Sequence, residues 1–321
     1  MSSDKIKVAV IGCGGIADAM HFPSLKRMEG VEISAVCDIS EKRLDLIKEK
    51  YGITTRYKDY KQMLDEVEAD AVYYLALPPA TEKIVSECMN RGKHVLLEKP
   101  PGVKLEETQR MAALAKKKGI KTLIGFNRRY SPVIRKAMEK IKSQGNVSSC
   151  LAEFHKNNIG VTEGYGFGGP WLAMDVIHQV DTLLYMGGAK VKNVKAKVDS
   201  YHAPESNYHS ALVEFENGVN GIILSNFSSG TRYERFEIHG KGCAAYIRLP
   251  QEAEMYIDKK SETIKIADLT SDTESFATYG YLSQSEHFMD CIRNNKLPET
   301  NLDHGVEVMK LVKTILGNDR V

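Results

Sequence analysis

The chain has 321 residues, with 44 lysines and arginines against 42 aspartates and glutamates, a formal net charge of +2. That length suffices for two domains with a sizeable core, and the apolar and charged shares (42% and 27%) are those of a globular protein. The near-zero charge argues against a nucleic-acid or polyanion partner, and no apolar run approaches the length of a membrane span.

The chain opens on a run rich in β-branched residues, Lys5 to Ile11, too plainly a first strand to be a signal peptide. It ends in Gly12-Cys13-Gly14-Gly15-Ile16-Ala17. Gly12 permits a tight turn, Gly14 lets backbone approach a pyrophosphate, and small Ala17 lets the next helix pack close to the sheet. That helix start offers N–H groups and a positive dipole end to phosphates. It is expected over about Ala17–Lys26, interrupted near Pro23. A second strand, Val31–Cys37, ends at Asp38, where an acid can accept ribose hydroxyls; Ile39 and Arg43 lie beside it.

Strands and helices keep alternating. Ser40 is placed to cap a helix through Lys50, and Asp59 opens a short helix to Val67. A buried strand, Ala71–Leu77, stops at Pro78-Pro79; Thr81 caps a helix that Gly92 closes. The strand His94–Glu98 stops at Lys99-Pro100-Pro101. Leu105–Lys118 reads as a helix closed by Gly119, its three terminal lysines favouring the dipole, and Thr122–Gly125 as the last strand. Such alternation means an α/β doubly wound parallel sheet over residues 1–124, with ligands outside the strands' carboxyl ends. Gly12–Ala17, Asp38, Leu77-Pro78-Pro79, Glu98-Lys99 and Asn127-Arg128 converge there as the candidate dinucleotide site.

After Gly125 the rhythm changes. A helix, Ser131–Gln144, precedes eight strand-like runs between Ser149 and Ala267, with Asn217-Gly218 a hairpin turn. A helix from Trp171 to Tyr185 interrupts them, and Tyr281–Asn294 and His304–Leu316 read as helices. Residues 125–321 therefore read as an α+β domain on a mostly antiparallel open-faced sheet, serving substrate binding and oligomerisation, with one face packed and the other able to pair with a second subunit.

The six cysteines are scattered, with no metal-ligand spacing, which suits a reducing cytoplasm and no structural metal. Cys13, in the turn, is either an activated thiol near a helix start or a small residue that fits; because free cysteine behaves as a small hydrophobe, the second is expected.

Two places could do chemistry. Lys99, held by the following proline, could hydrogen-bond a substrate oxygen or shuttle a proton, or simply end a strand in solvent. Asp175, His178 and Asp181 recur at spacings of three on the Trp171–Tyr185 helix. A continuous helix would put them on one stripe, with His178 suited to proton transfer and a carboxylate one turn away to orient it. A polar helix face is the competing account. Gly164, Gly166, Gly168 and Gly169, leading into the chain's only tryptophan, Trp171, suggest a shaped loop.

Taken together and in this order, the Gly12–Ala17 turn, Leu77-Pro78-Pro79-Ala80-Thr81, Glu98-Lys99-Pro100, Phe126-Asn127-Arg128-Arg129-Tyr130, Gly168-Gly169 and His178-x-x-Asp181 resemble the Gfo/Idh/MocA family over nearly the whole chain. The resemblance implies a Rossmann domain, a C-terminal open-sheet domain, dimers or tetramers through that sheet, and NAD(P)-dependent oxidation of a sugar or cyclitol hydroxyl, or its reverse. It makes Lys99 the lysine near the reacting oxygen, His178 the catalytic histidine and Asp181 a supporting acid. Two positions depart: the family's acid four residues before the histidine is Met174 here, with Asp175 next to it, and Glu82 stands where a histidine is common. Tyr130, His155, Tyr165 and Trp171 are candidate substrate walls, with Arg128 beside them. Asp38 favours NAD, with NADP the alternative because Lys42 and Arg43 are near. Relatives of other classes, redox-neutral glycoside-processing enzymes and dinucleotide-binding sensors, remain as competing functions.

Overall fold

A computed structural model describes residues 5–317. The chain divides into two compact units. The first comprises the residues up to Gly102, Glu106–Gly125 and Tyr281–Val306; the second comprises Val103–Leu105, Phe126–Gly280 and the residues from Glu307.

The first unit is built on β1 (Ile6–Ile11), β2 (Val31–Cys37), β3 (Arg56–Tyr57), β4 (Ala71–Tyr74), β5 (His94–Leu97) and β6 (Thr122–Ile124). They pair in the order β3-β2-β1-β4-β5-β6, all parallel, the doubly wound arrangement the alternation predicts. Its helices are α1 (Phe22–Arg27), α2 (Glu41–Tyr51), α3 (Tyr60–Glu66), α4 (Thr81–Asn90) and α5 (Leu105–Lys118). The expected strand Ala71–Leu77 is shorter, because pairing ends at Tyr74, whose hydroxyl turns to donate to the Leu77 carbonyl. Ser40 makes no side-chain cap; its N–H donates to Asp38 instead.

The expected interruption near Pro23 takes a specific form. Ala17–His21 is a widened π-helical turn, in which the Phe22 N–H donates to the Ala17 carbonyl, and it runs straight into α1. Proline lacks the N–H an α-helical ladder would require, so a change of winding just before it costs least.

The second unit contains α6 (Pro132–Gln144), β7 (Val147–Asn157), α7 (Trp171–Met174), α8 (Ile177–Gly187), β8 (Val191–Asp199), β9 (Tyr208–Phe215), β10 (Asn220–Asn226), β11 (Ser228–Gly240), β12 (Cys243–Arg248), β13 (Glu252–Ile257), β14 (Lys260–Lys265) and α9 (Ser275–Thr278). The eight strands order as β14-β13-β12-β11-β7-β10-β9-β8, antiparallel except for β7 with β10. Side chains alternate. Cys150, Ala152, Phe154, Ile223, Phe236, Ile238, Ala245 and Ile247 are buried on the face that packs on α6 and α8. The opposite face leaves Leu212, Ile222, Tyr246 and Tyr256 exposed.

Two helices close the chain, α10 (Tyr281–Arg293) and α11 (Leu302–Leu316). The sequence reading places both in the second domain. In the structure Tyr281–Val306 belongs to the first unit, where Phe288 and Met289 join the core with Val8, Val10, Phe22, Val36 and Leu96.

Candidate functional site

In the first unit the glycine turn follows β1 directly. Gly12 has φ +98°, its N–H donates to the Cys37 carbonyl, and an added Cβ would lie 2.7 Å from the Ala76 nitrogen, so only glycine fits. Over Gly15 the space is open, and near Gly14 a Cβ would meet only the Arg43 guanidinium. The turn is therefore tight toward the sheet and open on its outer side, as a pyrophosphate requires. Buried Asp38 braces it: its carboxylate accepts the Cys13 N–H at 2.7 Å and the Ser40 N–H at 2.9 Å. Each oxygen retains lone-pair capacity for a ribose hydroxyl. Arg43 lies 3.9 Å from the same carboxylate, and Ile39 is almost fully exposed beside it. Burial, then the Asp38 charge, pushes the Cys13 thiol up to about 12, so it is the small filler and not an activated thiol.

At the sheet's carboxyl edge, Leu77 is exposed and Pro78–Ala80 makes a tight 3₁₀ turn before α4. Glu82, at the position where the resemblance leads one to expect a histidine, holds Arg110 with both oxygens at 2.6 and 2.8 Å. Glu98 follows β5 and is held at both oxygens. Its Oε1 is 2.8 Å from His21 Nε2, and its Oε2 accepts the Lys99 N–H at 3.1 Å. Nothing in the sequence singled out His21, which packs across β4 and β5 from the helical turn after β1.

In the second unit the expected Trp171–Tyr185 helix is broken. It ends at Met174 and resumes at Ile177, and Asp175 sits in the break, off the stripe that a continuous helix would give it. Its buried carboxylate is the centre of a polar cluster. Lys156 Nζ donates to Oδ1 at 2.5 Å, the Tyr165 hydroxyl to Oδ2 at 2.7 Å, and Asn158 to Oδ2 at 3.4 Å. His178 is buried in the first turn of α8, three residues on.

Backbone conformation explains the glycine loop. Gly164, Gly166, Gly168 and Gly169 all have positive φ, as does Tyr165 at +55°. A Cβ on Gly164 would lie 2.6 Å from the Gly169 carbonyl, and one on Gly169 would lie 3.1 Å from Met174. This left-handed run folds the loop over Met174 and delivers the Tyr165 hydroxyl to Asp175. Trp171 is buried beneath, edge-on to Tyr165 and stacked on Phe227, a support more than a wall. Burial and then the Asp175 charge raise the Tyr165 pKa, so the phenol stays protonated and donates.

Several expected site residues are placed elsewhere. Asp181 is fully buried and grips Arg129 bidentately at 2.6 and 3.0 Å, so its carboxylate anchors a core cation. Arg128 is held by Glu234 at 2.9 and 3.1 Å and lies over the Tyr279 ring, while Asn127 donates to the Tyr279 carbonyl. These contacts lie within the second unit. Tyr130 is buried with Arg135 over its ring. His155 points to the open face of the sheet, where it pairs with Glu153 at 2.7 Å. The helix-side residue is its neighbour Lys156, which sequence reading missed by one step of strand parity.

Residues 6–126 match the model of an oxidoreductase family with an NAD-binding Rossmann fold, GFO_IDH_MocA, and residues 145–245 match the GFO/IDH/MocA C-terminal domain. The chain is 26% identical to a myo-inositol 2-dehydrogenase of Thermotoga maritima, covering 94% of this chain and 92% of that protein. Its fold matches a dehydrogenase from Chromobacterium violaceum at TM-score 0.89 and 18% identity, over 98% and 95% of the two chains. It also matches an oxidoreductase from Agrobacterium radiobacter in complex with NAD+, L-tartaric acid and magnesium, at TM-score 0.85 and 19% identity over 97% and 95%.

Proposed function

The chain belongs to the Gfo/Idh/MocA oxidoreductase family, and from that premise we propose that it moves a hydride between NAD(P) and a hydroxyl or carbonyl carbon of a sugar, sugar derivative or cyclitol. The observation that carries the reading is the Asp175 cluster. A buried carboxylate, a lysine, a phenol and an amide, with His178 one turn on, can both donate to and accept from a run of hydroxyls.

Gly12, Gly14, Gly15 and Asp38 fit a dinucleotide, the turn by its open outer side and the acid by its spare acceptors. Bound there, the nicotinamide would accept or supply the hydride. His178 takes the hydroxyl proton as general base in the oxidative direction, and the Lys99 ammonium stabilises negative charge developing on that oxygen. Asp175, its charge balanced by Lys156, receives neighbouring hydroxyls. Lys99→Met and His178→Ala should each lower turnover by roughly 10²–10⁴-fold. Near wild-type turnover in both variants contradicts the assignment.

NAD is the preferred cofactor, since the Asp38 carboxylate repels a 2′-phosphate, and Arg43 is the residue that would admit NADP. Arg43→Ala should weaken NADPH binding more than NADH binding, and equal losses would remove Arg43 from that role.

The exposed row of Leu212, Ile222 and Tyr246 on the outer sheet face supports pairing with a second copy, to be read by sedimentation. The six thiols, all buried and none in a disulfide, support residence in a reducing compartment.

A further inference from the structure

We infer that His21 is a positioning residue for Lys99, acting through Glu98. The inference rests on the role proposed above for Lys99.

Three separate stretches of sequence meet at the Glu98 carboxylate. From the helical turn after β1 comes His21, fully buried, its Nε2–H 2.8 Å from Glu98 Oε1. From the end of β5 comes the Lys99 N–H, 3.1 Å from Oε2. From the end of β6 comes Gly125, where a Cβ would lie 3.0 Å from Oε1 and 3.1 Å from the carboxyl carbon. The carboxylate therefore has one donor on each oxygen and backbone against its flank. A side chain at position 125 would displace it.

The imidazole is itself held. It stands edge-on to Tyr281 at 5.3 Å and to Tyr73 at 5.9 Å, with ring planes near perpendicular. Its Nδ1 has no hydrogen-bond partner among the described residues. Only the Nε2 contact is made, so the ring's polar function is spent wholly on Glu98. His21 is the last residue of the widened turn Ala17–His21 and faces inward onto Tyr73 of β4.

The consequence is local. Glu98 receives the N–H of the peptide that carries Lys99, so fixing the carboxylate fixes the start of the Lys99 side chain. Without the His21 donor the Oε1 side is an unmatched, nearly buried oxygen. The carboxylate then turns toward water, releases the Lys99 amide, and leaves the ammonium without a set origin. A misplaced charge stabiliser costs turnover more than it costs dinucleotide binding.

The test measures backbone amide exchange in full-length, NAD-saturated protein by NMR, residue by residue. In His21→Leu, the Lys99 amide should exchange at least about tenfold faster, with Leu96 and Leu97 of β5 unchanged. His21→Gln, whose amide can place a donor where Nε2 lies, should restore protection. Should His21→Leu not fold, Glu98→Ala is read in its place and should release the same amide. Unchanged Lys99 exchange overturns the inference, and so does acceleration spread evenly along β5, which reports general loosening. Turnover separates the two claims. In a Lys99→Met background, His21→Leu should cause no further loss. A further loss there overturns the inference while leaving Lys99's own role intact; a Lys99→Met enzyme of full activity removes that role while the exchange result still stands.

Discussion

Removing the Asp181 carboxylate should unfold the protein more than it slows it. Asp181 and Arg129 are both buried, and the guanidinium donates to both carboxylate oxygens and to the Asp181 carbonyl. Asp181→Leu leaves a buried cation without its counter-charge, a change that costs about 3–5 kcal/mol. For a domain of this size each kcal/mol lowers the melting temperature by about 2–4 °C, so the variant should melt about 6–20 °C lower. The double variant Arg129→Met/Asp181→Leu removes both charges and should recover most of that loss, because replacing a buried pair by apolar side chains is often neutral. Scanning calorimetry of the four proteins gives the coupling directly. A melting temperature within about 2 °C of wild type in Asp181→Leu, together with a large loss of turnover, would refute the structural assignment and return Asp181 to catalysis.

Other expectations follow from the same geometry. Gly164→Ala should cost about 1–2 kcal/mol from its left-handed backbone alone, with more from the 2.6 Å approach to the Gly169 carbonyl, and should impair turnover by displacing Tyr165. Urea melts and turnover read both. Burial opposes ionisation of Glu234, but Arg128 and Arg232 outweigh it and hold its pKa below the usual carboxylate value of 4.5. A depressed folded-state pKa means the unfolded chain binds the proton first on acidification. The stabilisation is present above about pH 4.5 and drains away as pH falls through the folded value. Glu234→Gln should flatten the dependence of stability on pH below 4.5, and an unchanged slope counts against the pair. Cys13, Cys37, Cys88 and Cys150 are pushed up to about 12 chiefly by burial, so iodoacetamide should spare them in the native protein at neutral pH. Labelling of Cys13 within minutes would contradict its role as filler.

The first unit was legible because its signals are local. Gly12, Asp38 and the Leu105–Lys118 helix each announce themselves within a few residues, and α5 keeps the bounds its capping pattern predicts. The second unit's chemistry depends on partners distant in sequence. His155 and Lys156 are equally plausible polar residues near the end of β7; only the direction of the pleat, set by Phe154 facing the helices, decides between them. The break at Asp175 has no breaker of its own. It is fixed by the Tyr165 and Lys156 contacts and by the glycine loop six to eleven residues earlier. Asp181 shared a spacing of three with His178, but Arg129, 52 residues away, claims it. His21 carried no signal of its own, because its partner Glu98 lies 77 residues on and only the strand order brings the two together.

The proposed reaction is net hydride transfer with a polyol. The direct measurement is the absorbance of reduced nicotinamide when the purified protein is given NAD, then NADP, with inositols, aldoses, amino sugars and nucleotide sugars in turn. Reduced cofactor should accumulate with one of these classes and vanish in Lys99→Met. No accumulation with any of them, in a protein that retains its dinucleotide through purification, would contradict the dehydrogenase reading in favour of a redox-neutral enzyme or a sensor.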